Sequence, residues 1–132
     1  MKVNHIAVGV DESVATAPAT DAALSLARLI GARVTFVHAI GLLEEAAHPN
    51  HPWPAGIPKP SHPSVDVSCV VELGPPAIAL NRFCEDNDVD LLVVGRRRVG
   101  AGSPIGLGST SRGVVDHAHL PVLLVAQHEP RG

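Results

Sequence analysis

A glycine-rich loop that ends in a serine and a threonine is the stretch of this sequence best suited to bind a ligand. Glycines recur from Gly95 through Gly100 to Gly108, and Ser109 and Thr110 follow directly. Glycine lets the backbone approach a ligand where a Cβ would intrude. A helix that opens at Ser109 adds unpaired N–H groups and the positive end of its dipole, and both favour an anion. The residues therefore predict a phosphate-binding loop.

Apolar runs on both sides of this loop predict the elements that hold it. Residues 91–94 (LLVV) predict a buried strand before the loop, and residues 109–119 predict a helix after it. Gly113 should cost this helix about 1 kcal/mol relative to alanine. Pro121 ends the helix, and residues 122–125 predict a further strand. A bound phosphate would then lie beyond the carboxyl end of the strand that precedes the loop.

The rest of the chain alternates between strands and helices. Apolar and β-branched runs predict strands at 5–10, 32–39 and 65–73. One helix is predicted to start at Thr20 or Asp21 and to end at Ile30 before Gly31. Another is predicted to follow Gly74, with Pro76 at its first position, where the missing N–H costs nothing.

This alternation predicts an α/β fold, an open doubly wound sheet of five parallel strands of the Rossmann-like kind. Ligands of such sheets bind beyond the carboxyl ends of the strands, where the strand order reverses. The chain is 45% apolar but only 2% aromatic, so its core must consist of Val, Leu, Ile and Ala. We expect residues 1–132 to form a single domain.

Residues 41–64 interrupt the pattern. They contain half of the chain's twelve prolines and three of its eight histidines. This proline density forbids a regular helix, so the second helix is predicted to be reduced to a short turn within 42–47, with one face of the sheet thinly covered. His48 and His51 lack the cysteines or regular helix of a metal site, and we predict none. Trp53 is interpreted as a lid or partner-facing aromatic residue.

Charge and composition argue against several classes of function. A net charge of −3 and a pI near 6.2 give no reason to expect binding to nucleic acid or membranes. The first ten residues lack the pattern of a signal peptide, and no apolar run approaches the roughly 20 residues of a membrane span. We therefore expect a cytoplasmic protein, with Cys69 and Cys84 as buried, reduced thiols.

The spacing of the loop residues resembles that of the universal stress proteins. Nucleotide-binding members of that family carry a glycine, two residues, a second glycine, nine residues, then glycine and serine or threonine. Gly95 fits the first position and Gly108 with Ser109 fits the last, whereas Arg98 stands in place of the second glycine. A guanidinium is a good bidentate partner for phosphate, and Gly100 would supply the lost flexibility.

This resemblance implies a fold like that of the adenine nucleotide alpha hydrolases. It also implies a bound adenine nucleotide such as ATP, with or without Mg²⁺, and a homodimer joined through the last strands. Asp11, which with Ser13 follows the first strand as in the family, would meet the ribose or adenine, and Val10 and Val37 would line the adenine pocket. The nucleotide-binding residues implied in this way are Val10, Asp11, Val37, Val94, Gly95, Arg98, Gly100, Gly108, Ser109 and Thr110.

Three functions remain open from the sequence. The first is an ATP-binding sensor or regulator of the stress response without efficient catalysis, because no general base, nucleophile elbow or Walker lysine is evident. The alternative is a member that has lost nucleotide binding and acts as a dimeric protein-interaction module. A third and weaker one is an adenylyl-transferring enzyme, which the lack of an HxGH-type motif disfavours.

Overall fold

Strands and helices alternate along the chain in the order that the sequence predicts. The computed structural model describes residues 1–11, 16–41, 43, 46, 53–96 and 109–126. Within these residues it contains β1 (His5–Val10), α1 (Thr16–Ile30), β2 (Arg33–Ile40), β3 (Val67–Leu73), α2 (Pro76–Asp86), β4 (Leu91–Arg96), α3 (Ser109–His117) and β5 (Val122–Ala126). The residues of the short helical turn predicted within 42–47 lie largely outside the described part of the chain.

The five strands form one parallel sheet in the order β3-β2-β1-β4-β5. The chain proceeds outward from β1 to β3 on one side, then returns to β4 and proceeds to β5 on the other. The strand order thus reverses between β1 and β4, which confirms the predicted doubly wound sheet. The carboxyl ends of these two strands border the crevice in which ligands of such sheets bind.

Two layers of apolar side chains cover the sheet. On one face, small residues of α1 such as Ala23 and Ala27 pack over Ile6, Val8 and Phe36. The other face carries α2 and α3, with a core of Ala7, Val37, Leu80, Phe83, Cys84, Val89, Leu92, Val94 and Val114. Because alternate residues of a strand point to opposite faces, each central strand contributes to both layers. This arrangement explains why the strands consist of nearly continuous apolar runs.

Several element ends differ from the predicted ones. Helix α1 begins at Thr16, four residues before the predicted cap at Thr20. Pro18 is tolerated there because it lies in the first turn, where backbone N–H groups have no partner within the helix. Strand β3 begins at Val67 instead of Val65, since the Val65 N–H donates to the carbonyl of His62 in a turn (3.4 Å). The last helix ends at His117, short of the predicted residue 119.

Described residues of the proline-rich segment, within 53–64, cover part of the sheet. Trp53 packs against the α1-side core, as does Val65 directly after the segment, and Ile57 is buried. The coverage is thin at the edge, where none of the β3 residues is fully buried. Cys69 on this strand is therefore only half-buried, which corrects the prediction of two buried thiols. Cys84 is buried on α2, and this burial raises the pKa of its thiol to about 12.

A close contact between α2 and α3 explains the glycine inside the last helix. A Cβ built on Gly113 would lie 2.8 Å from the Cβ of Ala77. Real Cβ atoms do not approach so closely, and the Ala77 Cβ is attached directly to the backbone. Glycine at this position thus allows the two helices to pack together, which offsets its cost of about 1 kcal/mol in helix propensity.

A chain of hydrogen bonds centred on the buried residues His5 and Thr35 crosses three strands near the amino edge of the sheet. The His5 Nδ1–H donates to the carbonyl of Asn87 (3.1 Å), so Nε2 accepts a hydrogen bond from the Thr35 hydroxyl (2.8 Å). The Thr35 oxygen in turn accepts one from the Ser68 hydroxyl (3.0 Å). A proton on Nε2 would reverse this chain, so that Thr35 accepts from His5 and donates to Ser68. Burial lowers the pKa of His5 below its usual 6.5, although the bond to Asn87 opposes this shift.

We expect this histidine to make the fold less stable in mild acid. The pKa of His5 is lower in the folded than in the unfolded chain. As the pH falls below about 6.5, the unfolded state therefore takes up the proton first, and the free energy of unfolding decreases. Urea unfolding between about pH 7.5 and about pH 5 measures this slope. His5→Gln should flatten it, whereas His119→Gln, at an exposed histidine, should leave it unchanged. Equal slopes for all three proteins would exclude His5 as the cause.

Candidate functional site

The carboxyl ends of β1 and β4 carry four of the predicted site residues, Val10, Asp11, Val94 and Gly95. Strand β1 ends at Val10, and exposed Asp11 follows it. Strand β4 extends through Gly95 to Arg96, two residues beyond the predicted end. Because the two strands are neighbours at the point where the strand order reverses, both ends border the same crevice.

A hydrogen bond ties the end of β4 to the first turn of α3. The Ser111 hydroxyl is buried and donates to the carbonyl of Gly95 (3.1 Å). Helix α3 starts at Ser109, with half-buried Thr110 as its second residue. The N–H groups of this first turn have no partner within the helix, and the bond from Ser111 keeps the turn next to Gly95. The structure therefore places a helix start beside the crevice, as an anion site requires.

The loop between these two elements lies outside the described residues. Arg98, Gly100 and Gly108 belong to it, so their predicted contacts with phosphate stay predictions. Ser111 was missed by the sequence reasoning, which stopped at the serine and threonine that match the family motif. Its position two residues after Ser109, within the first helical turn, is the only signal that it faces the preceding strand.

The valines predicted to line the adenine pocket lie on opposite faces of the sheet. Val10 belongs to the α1-side core, whereas Val37 and Val94 belong to the core under α2 and α3. The register explains this, because Val10 pairs with His38 and Val37 pairs with Gly9. All three valine side chains are buried. At the carboxyl edge, the side chain that shares the face of Val10 is therefore His38.

His38 joins the ends of β1 and β2. Its Nδ1–H donates to the carbonyl of Val10 (3.1 Å), which holds the peptide that leads into Asp11. Its ring also meets Trp53 edge to face, with ring centroids 6.3 Å apart and planes at 63°. The sequence placed His38 at a strand end but gave no sign of either contact, since 28 residues separate it from Val10.

The described histidines and carboxylates provide no metal centre. No group of three or more His, Cys, Asp or Glu residues is arranged to hold a metal ion in the part of the chain that the structure describes. His48 and His51 lie outside that part. His62 accepts a hydrogen bond at Nδ1 from the N–H of Ser64 (3.0 Å), so it shapes a local turn.

The sequence family model of the universal stress proteins matches residues 57–126, more than half of the chain. The chain belongs to the universal stress protein family. The matched range contains the end of β4, the start of α3 and the edge strand β5, and it begins after Trp53. No curated protein matches the chain.

Solved structures of the universal stress protein family share the fold over nearly the whole chain. A universal stress protein in complex with cAMP is 24% identical, with a TM-score of 0.69, and the match covers 97% of this chain and 100% of the other. One from Archaeoglobus fulgidus in complex with dAMP is 22% identical, with a TM-score of 0.67 and coverage of 95% and 99%. A family protein from Arabidopsis thaliana with AMP bound is 18% identical, with a TM-score of 0.65 and coverage of 95% and 92%.

These likenesses confirm the fold of the family for this chain. They extend over the first strand and helix, which precede the region matched by the family model. Among the described helices of this family member, none is long and apolar enough to cross a membrane.

Proposed function

We propose that this universal stress protein binds an adenine nucleotide, ATP, between the ends of β1 and β4 and acts as a sensor or regulator. The observation that carries the proposal is the hydrogen bond from Ser111 to Gly95, which keeps a helix start beside the crevice where the strand order reverses. Support also comes from three proteins of the same fold, which were solved with cAMP, dAMP and AMP. The shared parts of these ligands are adenine, a pentose and a phosphate.

Each part of the nucleotide has a counterpart in the chain. The phosphates would accept hydrogen bonds from the backbone at Gly108, Ser109 and Thr110, where the dipole of α3 is positive. The Arg98 guanidinium would take the place of the second motif glycine by donating two parallel hydrogen bonds to phosphate oxygens. The Asp11 carboxylate would accept hydrogen bonds from ribose hydroxyls.

The remaining site residues would contribute mainly through their backbone and shape. Because the side chains of Val10, Val37 and Val94 are buried in the core, they would support the site from beneath instead of contacting the ligand. Gly95 would let phosphate approach the end of β4, together with Gly100 in the loop. Efficient hydrolysis of ATP is not part of the proposal, since no candidate general base or pair of Mg²⁺ carboxylates was found in the sequence.

The second proposal is that the chain forms a homodimer through β5. This strand is an edge of the sheet, so one side of its backbone has no strand partner in the described chain. Leu123 on this strand is 38% exposed. Edge strands with apolar side chains favour pairing with another strand, and a second copy offers a matching one. If nucleotide binding has been lost, this surface would make the protein a dimeric interaction module in the cytoplasm.

Calorimetric titration of nucleotide-stripped protein tests the first proposal. ATP, ADP, AMP and cAMP are titrated separately, with and without Mg²⁺. We expect saturable binding of at least one of them, with ATP the tightest. The absence of heat with all four would reject nucleotide binding and favour the interaction module. A dependence on Mg²⁺ would show that the metal enters with the phosphates.

A further inference from the structure

The proline-rich segment carries a tryptophan that is held beside the carboxyl end of β2 by a hydrogen bond and a ring contact. The Trp53 indole N–H donates to the carbonyl of Ile57 (2.8 Å), and the Ile57 N–H donates to the carbonyl of Pro54 (3.2 Å). Ile57 is only 6% exposed, so it anchors this turn in the protein. With its one polar atom already paired, the indole presents ring surface that loses no hydrogen bond when a ligand covers it.

Trp53 is also linked to the peptide that leads into the proposed ribose site. Its ring contacts His38 edge to face, and His38 donates a hydrogen bond to the carbonyl of Val10. Asp11 is the next residue. The tryptophan, the histidine and the end of β1 therefore form a continuous set of contacts beside the crevice.

The strand order separates these contacts from the proposed phosphate site by about the distance between the phosphate and the base of a nucleotide. Strands β4, β1 and β2 are consecutive in the sheet, and the phosphate site follows β4. Neighbouring strands lie about 4.8 Å apart, so the ends of β4 and β2 are separated by roughly 10 Å. A nucleotide with its phosphate at α3 and its ribose near Asp11 would extend its base toward His38 and Trp53.

Few other side chains are able to stack on a base. The chain has one tryptophan, two phenylalanines and no tyrosine. Phe36 and Phe83 are 0% and 5% exposed in the two cores, whereas Trp53 is half-buried. Apart from histidines, Trp53 is therefore the one aromatic residue that a ligand can reach.

We propose that Trp53 recognises the purine base of the bound nucleotide by stacking. This inference rests on the proposed nucleotide site and adds to it the group that reads the base. Base–aromatic stacking is worth about 5- to 150-fold in affinity per base. Stacking on Trp53 would thus make the site bind nucleotides more tightly than ribose phosphates, which lack the base.

The test compares AMP with ribose 5-phosphate, which lacks the base. Both are titrated by calorimetry into the wild-type protein and the Trp53→Leu, Trp53→Phe and Lys59→Gln variants. We expect Trp53→Leu to weaken AMP by about tenfold or more without changing the affinity for ribose 5-phosphate, and Trp53→Phe to restore most of the loss. Lys59 is an exposed residue of the same segment, and its variant should keep the wild-type ratio of the two affinities.

Fluorescence of the wild-type protein gives a second reading that needs no variant. Trp53 is the only tryptophan, so its emission should change on saturation with AMP and stay constant with ribose 5-phosphate. Unchanged emission with AMP, or a Trp53→Leu variant that binds AMP as the wild type does, would overturn the proposed role of Trp53. Either result would leave the proposal of nucleotide binding standing. If the Trp53→Leu variant loses the same factor of affinity for AMP and for ribose 5-phosphate, Trp53 has a structural role and the proposal is overturned. If AMP fails to bind the wild type, this inference falls, and the ATP, ADP and cAMP titrations decide separately whether nucleotide binding falls with it.

Discussion

Gly108→Asp should lower the affinity for adenine nucleotides by at least about 100-fold while the protein stays folded. The new carboxylate would stand at the step from the loop into α3, where the proposal places the phosphates. A negative charge about 4 Å from a phosphate charge repels it by about 4 kcal/mol at an effective dielectric constant of about 20. Each 1.4 kcal/mol corresponds to about a tenfold change in affinity, so a repulsion of about 4 kcal/mol would lower the affinity by nearly 1,000-fold. The expected loss of about 100-fold is therefore a lower bound.

Gly108→Asn is the matched control, because asparagine has almost the same size as aspartate without its charge. We expect it to lose only the part of the affinity that depends on close backbone approach. Calorimetric titration with ATP gives both affinities, and thermal unfolding shows whether each variant remains folded. If Gly108→Asp binds ATP as well as the wild type does, the loop has no part in binding. Equal losses in both variants would mean that space, not charge, is decisive at this position.

The sequence predicted the order of the elements well because their ends depend on local backbone chemistry. Gly31 ends α1 with a φ of +74°, a conformation that glycine adopts without strain. Pro76 opens α2 with no loss of a helical hydrogen bond, as predicted. The predicted start of α1 was wrong. Thr20 and Asp21 are both good capping residues, so the rules for helix starts favoured them over the observed start at Thr16. Short-range rules therefore locate an element but choose poorly between two acceptable starts.

The candidate site was harder to predict because it depends on the register between strands. Val10 and Val37 both end apolar runs, and nothing local shows that they point to opposite faces. Since Val10 pairs with His38, a shift of one residue in register would have placed Val37 there instead. The same long-range pairing produces the bond from His38 to Val10 and the chain that starts at His5. Such contacts join residues that are tens of positions apart, and composition gives no indication of them.

Trp53 shows a further limit of pattern reasoning. Proline density predicts no regular helix, and the described residues 53–64 contain none, but it does not show what those residues do. The turn from Trp53 to Ile57 buries an isoleucine and satisfies the indole N–H, so the segment is partly a covering layer of the core. The interpretation of Trp53 as a lid or partner-facing residue missed this packing, which follows from long-range contacts with the α1-side core.

The largest effect on assembly should come from a charge at the edge strand. Light scattering of the wild-type protein at tens of micromolar should give about twice the chain mass of 13.7 kDa. Leu123→Lys should reduce this to one chain mass, because pairing of two β5 strands across a two-fold axis would bring a lysine from each copy into the interface. Like charges across paired strands repel, and lysine on an edge is a common protection against pairing.

Leu29→Lys is the matched control for this edge-strand variant. It makes the same chemical change at a residue of α1 that is 79% exposed, against 38% for Leu123. Because Leu29 lies on a helix and not on the sheet edge, we expect its variant to keep the wild-type mass. A wild-type protein that is already monomeric at these concentrations would reject the β5 interface, and so would a Leu123→Lys variant that remains dimeric. If both lysine variants become monomeric, α1 belongs to the contact, and the edge-to-edge arrangement through β5 alone is wrong.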